Sequence, residues 1–136
     1  MKGQNEEIME EVLDEINSSL NDKRGLIPHQ RRLAFSLSLG SSVLVEEFFS
    51  KKNILKPGIK INHLWLRKSR ENIKELLKDK ITSQIEKFPE LNSIIDKAIF
   101  IERERDKLAY GKSISEKTLK EKIKAFLELK KEVENA

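Results

Sequence analysis

Two charged side chains, Glu102 and Arg105, stand in residues 101–113, IERERDKLAYGKS, where an apolar helix face is expected. An α-helix turns by about 100° per residue, and the apolar residues of this region then fall in one stripe: Leu91, Ile94, Ala98, Ile101, Leu108 and Ala109. Glu102 and Arg105 fall in the same stripe. Because an arginine is rarely buried without a partner, this pair is the first candidate for a functional site.

Two interpretations of the pair are open. Glu102 and Arg105 can form a buried ion pair one helical turn apart that fixes packing or the register of a dimer. Alternatively, Arg105 is held in an apolar crevice, where its planar fork of donors points at a phosphate. Both interpretations place Arg105 outside an ordinary hydrophobic core.

A second candidate lies in KINHLWLRKSR, where His63 and Trp65 are close together. The simpler interpretation packs Trp65 under the Pro57-Gly58 loop and lets His63 cap nearby backbone. The functional alternative makes His63 a proton carrier and Trp65 a surface on which a base stacks. Three basic runs are expected to be solvated helix faces: Lys23-Arg24, Arg31-Arg32 and Arg67-Lys68-Arg70.

The composition and the absence of common motifs argue against most common classes of enzyme. The chain has no cysteine and two histidines, which excludes disulfides, thiolate nucleophiles and Cys-based zinc sites and disfavours a histidine-rich metal site. There is no Walker loop, no G-x-G-x-x-G and no nucleophile elbow. We therefore predict no metal and no cofactor. Lys and Arg outnumber Asp and Glu by 27 to 23, a net charge of +4 that permits contact with nucleic acid without requiring it.

The elements that must position these residues are helices. We expect one domain, residues 1–136, because the length suits a single core and five Gly and three Pro leave few turns. Apolar spacing predicts five amphipathic helices. The first ends near residues 21–25, and the second, central helix begins at Pro28. The third runs from Asn62 to about Ile81, the fourth runs from Leu91 to about Tyr110 and is closed by Gly111, and the segment SISE starts the last. Residues 59–61 are predicted to be a short extended piece. The predicted fold class is all-α, an antiparallel four-to-five-helix bundle.

Localisation is predicted from what the chain lacks. The first residues, MKGQNEEIMEE, contain no apolar core of a signal peptide, and no uninterrupted apolar run approaches the length of a membrane span. We expect a cytoplasmic protein without a membrane partner.

The segment IERERDKLAYGK resembles the signature of the HEPN superfamily of small helical bundles. That signature is an Arg followed by a polar residue and, four to six residues later, a His near the end of a late helix. Arg105 occupies the Arg position, Asp106 the polar position, and Tyr110 stands where His is expected. Together with PGIKINHLW, the motif is similar to a small archaeal branch of HEPN-type proteins. The resemblance covers about residues 27–126.

The resemblance implies a homodimer in which late helices of two subunits form a shared cleft. Catalytic members cut RNA in that cleft without a metal ion, with Arg stabilising the phosphate and His assisting the 2′-hydroxyl. Some members pair with a small nucleotidyltransferase that modifies a tyrosine near the motif, although Tyr110 is not at the usual position. A tyrosine, with an ordinary pKa near 10, is a poor general base, so Tyr110 preserves binding more readily than cleavage.

Three functional hypotheses follow. The first is a cleft that binds RNA or a nucleotide phosphate around Arg105, Asp106 and Tyr110, with further contacts from four residues: Glu102, Lys112, His63 and Trp65. The second is a metal-independent endoribonuclease of the toxin type. The third is a non-catalytic structural or adaptor bundle, in which the charged pair only fixes packing.

Overall fold

The computed structural model describes residues 3–111 and 113–136. Within these ranges there are six α-helices and no strand: α1 (Gln4–Leu20), α2 (Gln30–Lys51), α3 (Arg70–Leu77), α4 (Leu91–Glu102), α5 (Arg105–Tyr110) and α6 (Glu116–Asn135). Short 3-10 turns lie at Ile27–His29, His63–Arg67 and Ile85–Lys87. The predicted all-α bundle is confirmed.

Helix α2 is the centre of the bundle, as its apolar residues on several faces predict. It packs against α1, α4, α5 and α6. Two of its large side chains, Phe48 and Phe49, are completely buried. Gly40 lets α6 approach closely, because a Cβ atom there would lie 2.7 Å from the ring of Phe126. Small residues in α2 therefore set how tightly its neighbours pack.

The apolar character of α2 is accounted for by this packing. Residues 27–51 are long and apolar enough to cross a membrane by length and composition alone. In the structure 72% of the most apolar window is buried among the other helices. The core helix of a bundle has the same properties.

The third predicted helix, from Asn62 to Ile81, is wrong as a continuous element. Asn62 does act as an N-cap, since its side chain accepts a hydrogen bond from the backbone N–H of Leu64 at 2.9 Å, but it starts only the 3-10 turn His63–Arg67. Ser69 then caps a separate helix, α3. The change of direction between them lets Leu66 and Ile73 both reach the core. Residues 59–61, predicted to be a short extended piece, lie in neither a helix nor a strand, and an isolated bridge joins Leu55 to Ile81.

The fourth predicted helix is also interrupted, and this break shapes the candidate site. Helix α4 ends at Glu102, and Glu104 adopts a left-handed conformation with φ of 66° before α5 begins. The buried Lys122 of α6 donates hydrogen bonds to the carbonyl oxygens of Phe100 and Arg103, which the break leaves without helical partners. Burial lowers the pKa of Lys122 to about 8. A distant lysine thus caps the end of α4.

Candidate functional site

A cleft of about 380 Å³ opens where α4 ends and α5 begins, and the 3-10 turn His63–Arg67 contributes two of its lining residues. Two lining side chains are apolar, Leu66 and Ile99. The others are charged: Arg67, Glu102, Arg103, Glu104, Arg105, Asp106 and Lys107. With four cations and three anions, the cleft is mixed in charge, so the pairing of these groups decides what it can bind.

The carboxylate of Glu102 forms the base of this arrangement, with its side chain only 1% exposed. It accepts hydrogen bonds from Ser38 Oγ at 2.6 Å, from Arg67 Nε at 3.1 Å and from His63 Nδ1 at 3.2 Å. These donors come from α2 and from the 3-10 turn. A buried carboxylate is stable only when such partners replace water. Glu102 therefore ties three elements together.

Arg67 connects the buried carboxylate to the surface. While its Nε atom bonds to Glu102, its Nη1 and Nη2 atoms donate to the two carboxylate oxygens of Asp106, both at 3.1 Å. This is the two-point geometry in which a guanidinium binds a planar acid. Hydrogen bonds from Arg67 first, and from Arg105 second, lower the pKa of Asp106 below its usual value.

Arg105 reaches the same carboxylate from α5. Its Nη1 atom lies 3.1 Å from Asp106 Oδ1, and its guanidinium carbon lies 4.7 Å from the centroid of the Phe35 ring. The Nε atom of Arg105 is buried and has no hydrogen-bond partner among the described residues. Two guanidinium groups thus converge on Asp106, whose side chain is 57% exposed.

The predicted Glu102–Arg105 pair is wrong, although the prediction that Glu102 faces inward is confirmed. Within the described residues, Glu102 bonds to Ser38, His63 and Arg67, and Arg105 bonds to Asp106. The reason is the break after Glu102, which removes the one-turn spacing on which the predicted pair depended. Arg105 consequently lies on the ring of Phe35 at the edge of the bundle.

The structure brings His63 into the network but not Trp65. Because a carboxylate only accepts hydrogen bonds, the contact with Glu102 places the proton of a neutral His63 on Nδ1 and leaves Nε2 as an acceptor. No described residue bonds to that Nε2 atom. Trp65 is half-buried against the core, and Lys80 Nζ lies 5.8 Å from its ring centroid. Trp65 is not among the residues that line the cleft.

Tyr110 lies beside the cleft rather than in its lining. Its side chain is 73% exposed, and its ring meets Phe35 edge-on with a centroid distance of 6.0 Å. Phe35 thus contacts both Tyr110 and Arg105. The predicted binding residue Lys112 lies outside the described residues.

Sequence reasoning missed Arg67, Ser38 and Phe35. The sequence places Arg67 in a basic run typical of a solvated helix face, and nothing local distinguishes it from Lys68 and Arg70. Its partner carboxylates are 35 and 39 residues away along the chain. Ser38 gave one usable signal, because a polar residue in the most apolar helix needs a partner.

Comparison of the chain with protein-family models, with curated proteins and with solved structures finds no match. Among the described residues, no group of three or more His, Asp or Glu side chains is arranged to hold a metal ion. The hydrogen-bonded network therefore offers the chemistry of two arginines, two carboxylates and an imidazole.

Replacing Glu102 by leucine should lower the free energy of unfolding by about 3 kcal/mol, because three donors lose their buried acceptor. The expected loss is at the lower end for a broken buried pair, since Arg67 and His63 are partly exposed and can turn to water. Chemical denaturation measures it. Asp106→Asn, at an exposed position, is the control and should change stability by less than about 1 kcal/mol. Equal, small losses in both variants would contradict a structural role for Glu102.

Proposed function

We propose that the cleft binds the phosphate of an RNA strand or a nucleotide, with Arg67 and Arg105 as the groups that hold it. One observation carries the proposal: two guanidinium groups converge on one exposed carboxylate, that of Asp106, at the opening of the cleft. A phosphate oxygen pair resembles a carboxylate in charge and spacing, and arginine forks fit both. A phosphate could therefore take the place of Asp106.

Both arginines are held before any ligand arrives. Glu102 fixes the Nε atom of Arg67, and the ring of Phe35 supports the guanidinium of Arg105. Binding therefore costs little further side-chain entropy. A bound phosphate must displace the carboxylate of Asp106 from the two arginines, and this cost in free energy limits the affinity for the phosphate to a moderate value.

The surface beside the arginines favours a nucleic acid strand over a small free anion. Tyr110, Phe35 and the neighbouring Leu39 of α2 are all exposed large side chains. Unstacked bases in single-stranded RNA pack on such side chains while cations hold the backbone. Because Tyr110 contacts Phe35, and Phe35 contacts Arg105, an aromatic surface and a phosphate site adjoin one another.

We expect the protein to bind short single-stranded RNA at low salt, with affinity that falls as salt is added. Arg67→Ala and Arg105→Ala should each weaken binding about tenfold, the loss of roughly one strong charged hydrogen-bonding group. Fluorescence anisotropy with a labelled oligonucleotide measures this.

The matched control is Arg24→Ala, because Arg24 also bonds to an aspartate, Asp22, but is not among the residues that line the cleft. Its affinity should stay within about twofold of the unaltered protein. Absence of RNA binding at low salt, or an equal loss in the control, would leave the structural or adaptor function.

A second candidate function, a metal-independent endoribonuclease, is favoured by the contact between His63 and Glu102. The carboxylate orients the imidazole and leaves its Nε2 atom available as a proton acceptor, as a general base requires. Arg67 joins the same Glu102 to the proposed phosphate site. His63 would then supply the imidazole that Tyr110 does not provide.

We expect slow cleavage or none by the unaltered protein, because His63 is not among the lining residues of the cleft and Tyr110 is a poor base. Gel analysis of labelled RNA in the presence of a chelator measures this. Rapid cleavage that His63→Ala abolishes, with RNA binding retained, would instead make the endoribonuclease the primary function. Tyr110→Phe is the control for a role of the tyrosine hydroxyl.

The homodimer implied by the HEPN resemblance remains part of the proposal, but its contact surface must be placed anew. The apolar residues of α4, among them Ile94, Ile95 and Ala98, are completely buried against other helices of the same chain. Helix α4 therefore has little apolar surface left to offer a second subunit, and a contact between subunits has to lie elsewhere on the chain.

A further inference from the structure

A groove runs between α1 and α6, with residues of α2 also lining its larger half, and it shares no residue with the phosphate-binding cleft. Helical spacing places Glu6, Leu13 and Leu20 on one face of α1, and Lys124, Leu127, Lys131 and Glu134 on one face of α6. The two helices run antiparallel, since the first residues of α1 meet the last residues of α6. Cavities of about 780 Å³ and 410 Å³ mark the two halves of this groove.

The larger half is acidic. Glu6, Glu10, Glu47 and Glu134 line it together with two cations, Lys51 and Lys130, which leaves a charge of −2. Both cations are engaged: Lys130 bonds to Glu134, and Lys51 donates to the carbonyl oxygens of Val133 and Glu134. Burial, together with the charges of Glu46, Glu6 and Glu134, raises the pKa of Glu47. This half therefore has carboxylates in excess.

The smaller half is basic. Lys120, Lys124 and Lys131 line it with one carboxylate, Glu128, which leaves a charge of +2. None of these three lysines forms an ion pair with a described residue. Between them lie three apolar side chains, Leu20, Ile123 and Leu127, and two of these are unusually open for leucine, at 53% and 40% exposed. Open apolar area ringed by unpaired charge is typical of a protein contact.

We propose that this groove is the contact between two copies of the chain, related by a two-fold axis that crosses the groove at right angles. Such an axis places each position of the groove opposite a position of the other copy that lies equally far from the groove centre but toward the opposite end. The −2 half of one chain then faces the +2 half of the other, twice in one dimer. A two-fold axis parallel to the groove would instead place the two acidic halves opposite each other and the two basic halves opposite each other. The charge pattern therefore favours the axis at right angles to the groove.

A second copy fits better than another partner because both complementary halves are present on the same chain and are lined by the same two helices, α1 and α6. The contact would cover Leu20 and Leu127, whose burial adds hydrophobic stabilisation to the charge pairing. The inference does not rest on phosphate binding, because the groove and the cleft have no residue in common.

Two double variants test the arrangement. K120E/K124E makes both halves acidic, and E6K/E10K reverses the acidic half. Each variant alone opposes like charges and should lower the dimer affinity at least about tenfold relative to the unaltered protein. Mixed together, they are complementary at both ends and should form a heterodimer. Analytical ultracentrifugation across micromolar concentrations measures mass, and a tag on one variant identifies the mixed species.

The matched control is E7K/E11K, which makes the same charge change on α1 but on the neighbouring face, outside both groove halves. It should dimerise like the unaltered protein, and circular dichroism checks that every variant is helical. A monomeric unaltered protein, dimers of either folded groove variant alone, or a mixture that stays monomeric would each overturn the proposal.

Discussion

The buried carboxylate of Glu102 is the contact on which the arrangement of the cleft depends. It ends α4 and accepts hydrogen bonds from Ser38 on α2 and from His63 and Arg67 on the 3-10 turn. Because a carboxylate away from water must keep its donors, these elements are fixed relative to one another. The remaining donors of Arg67 then extend outward to Asp106. The buried carboxylate of Glu102 thus determines where Arg67 places the two guanidinium nitrogens that bind Asp106.

The break after Glu102 determines where the second arginine lies. Lys122 caps the end of α4, and the chain turns at Glu104, so α5 packs on α2 instead of extending α4. Gln30 of α2 fixes the end of α5 by donating to the carbonyl oxygen of Leu108 at 3.0 Å. Arg105 is thereby placed on the ring of Phe35, close enough to share Asp106 with Arg67.

Features set by local sequence were predictable, and features set by distant residues were not. Helical periodicity predicted an all-α bundle, and the caps at Asn62 and Ser115 form as their residue types suggest. The inward position of Glu102 also followed from spacing. The break at Glu104 could not be predicted, because it has no glycine or proline and is stabilised by a lysine from α6. Likewise, no local pattern singles out Arg67, whose partners are remote in sequence.

The most direct test of the phosphate site is the affinity for a 5′-phosphorylated dinucleotide, measured by calorimetry with the unaltered protein and with Asp106→Asn. Asn keeps the shape of the side chain but removes the anion that competes for Arg67 and Arg105. We expect Asp106→Asn to bind the dinucleotide several-fold more tightly, because the phosphate no longer displaces a charged carboxylate. Unchanged or weaker binding by a folded Asp106→Asn protein would contradict a phosphate site formed by these two arginines.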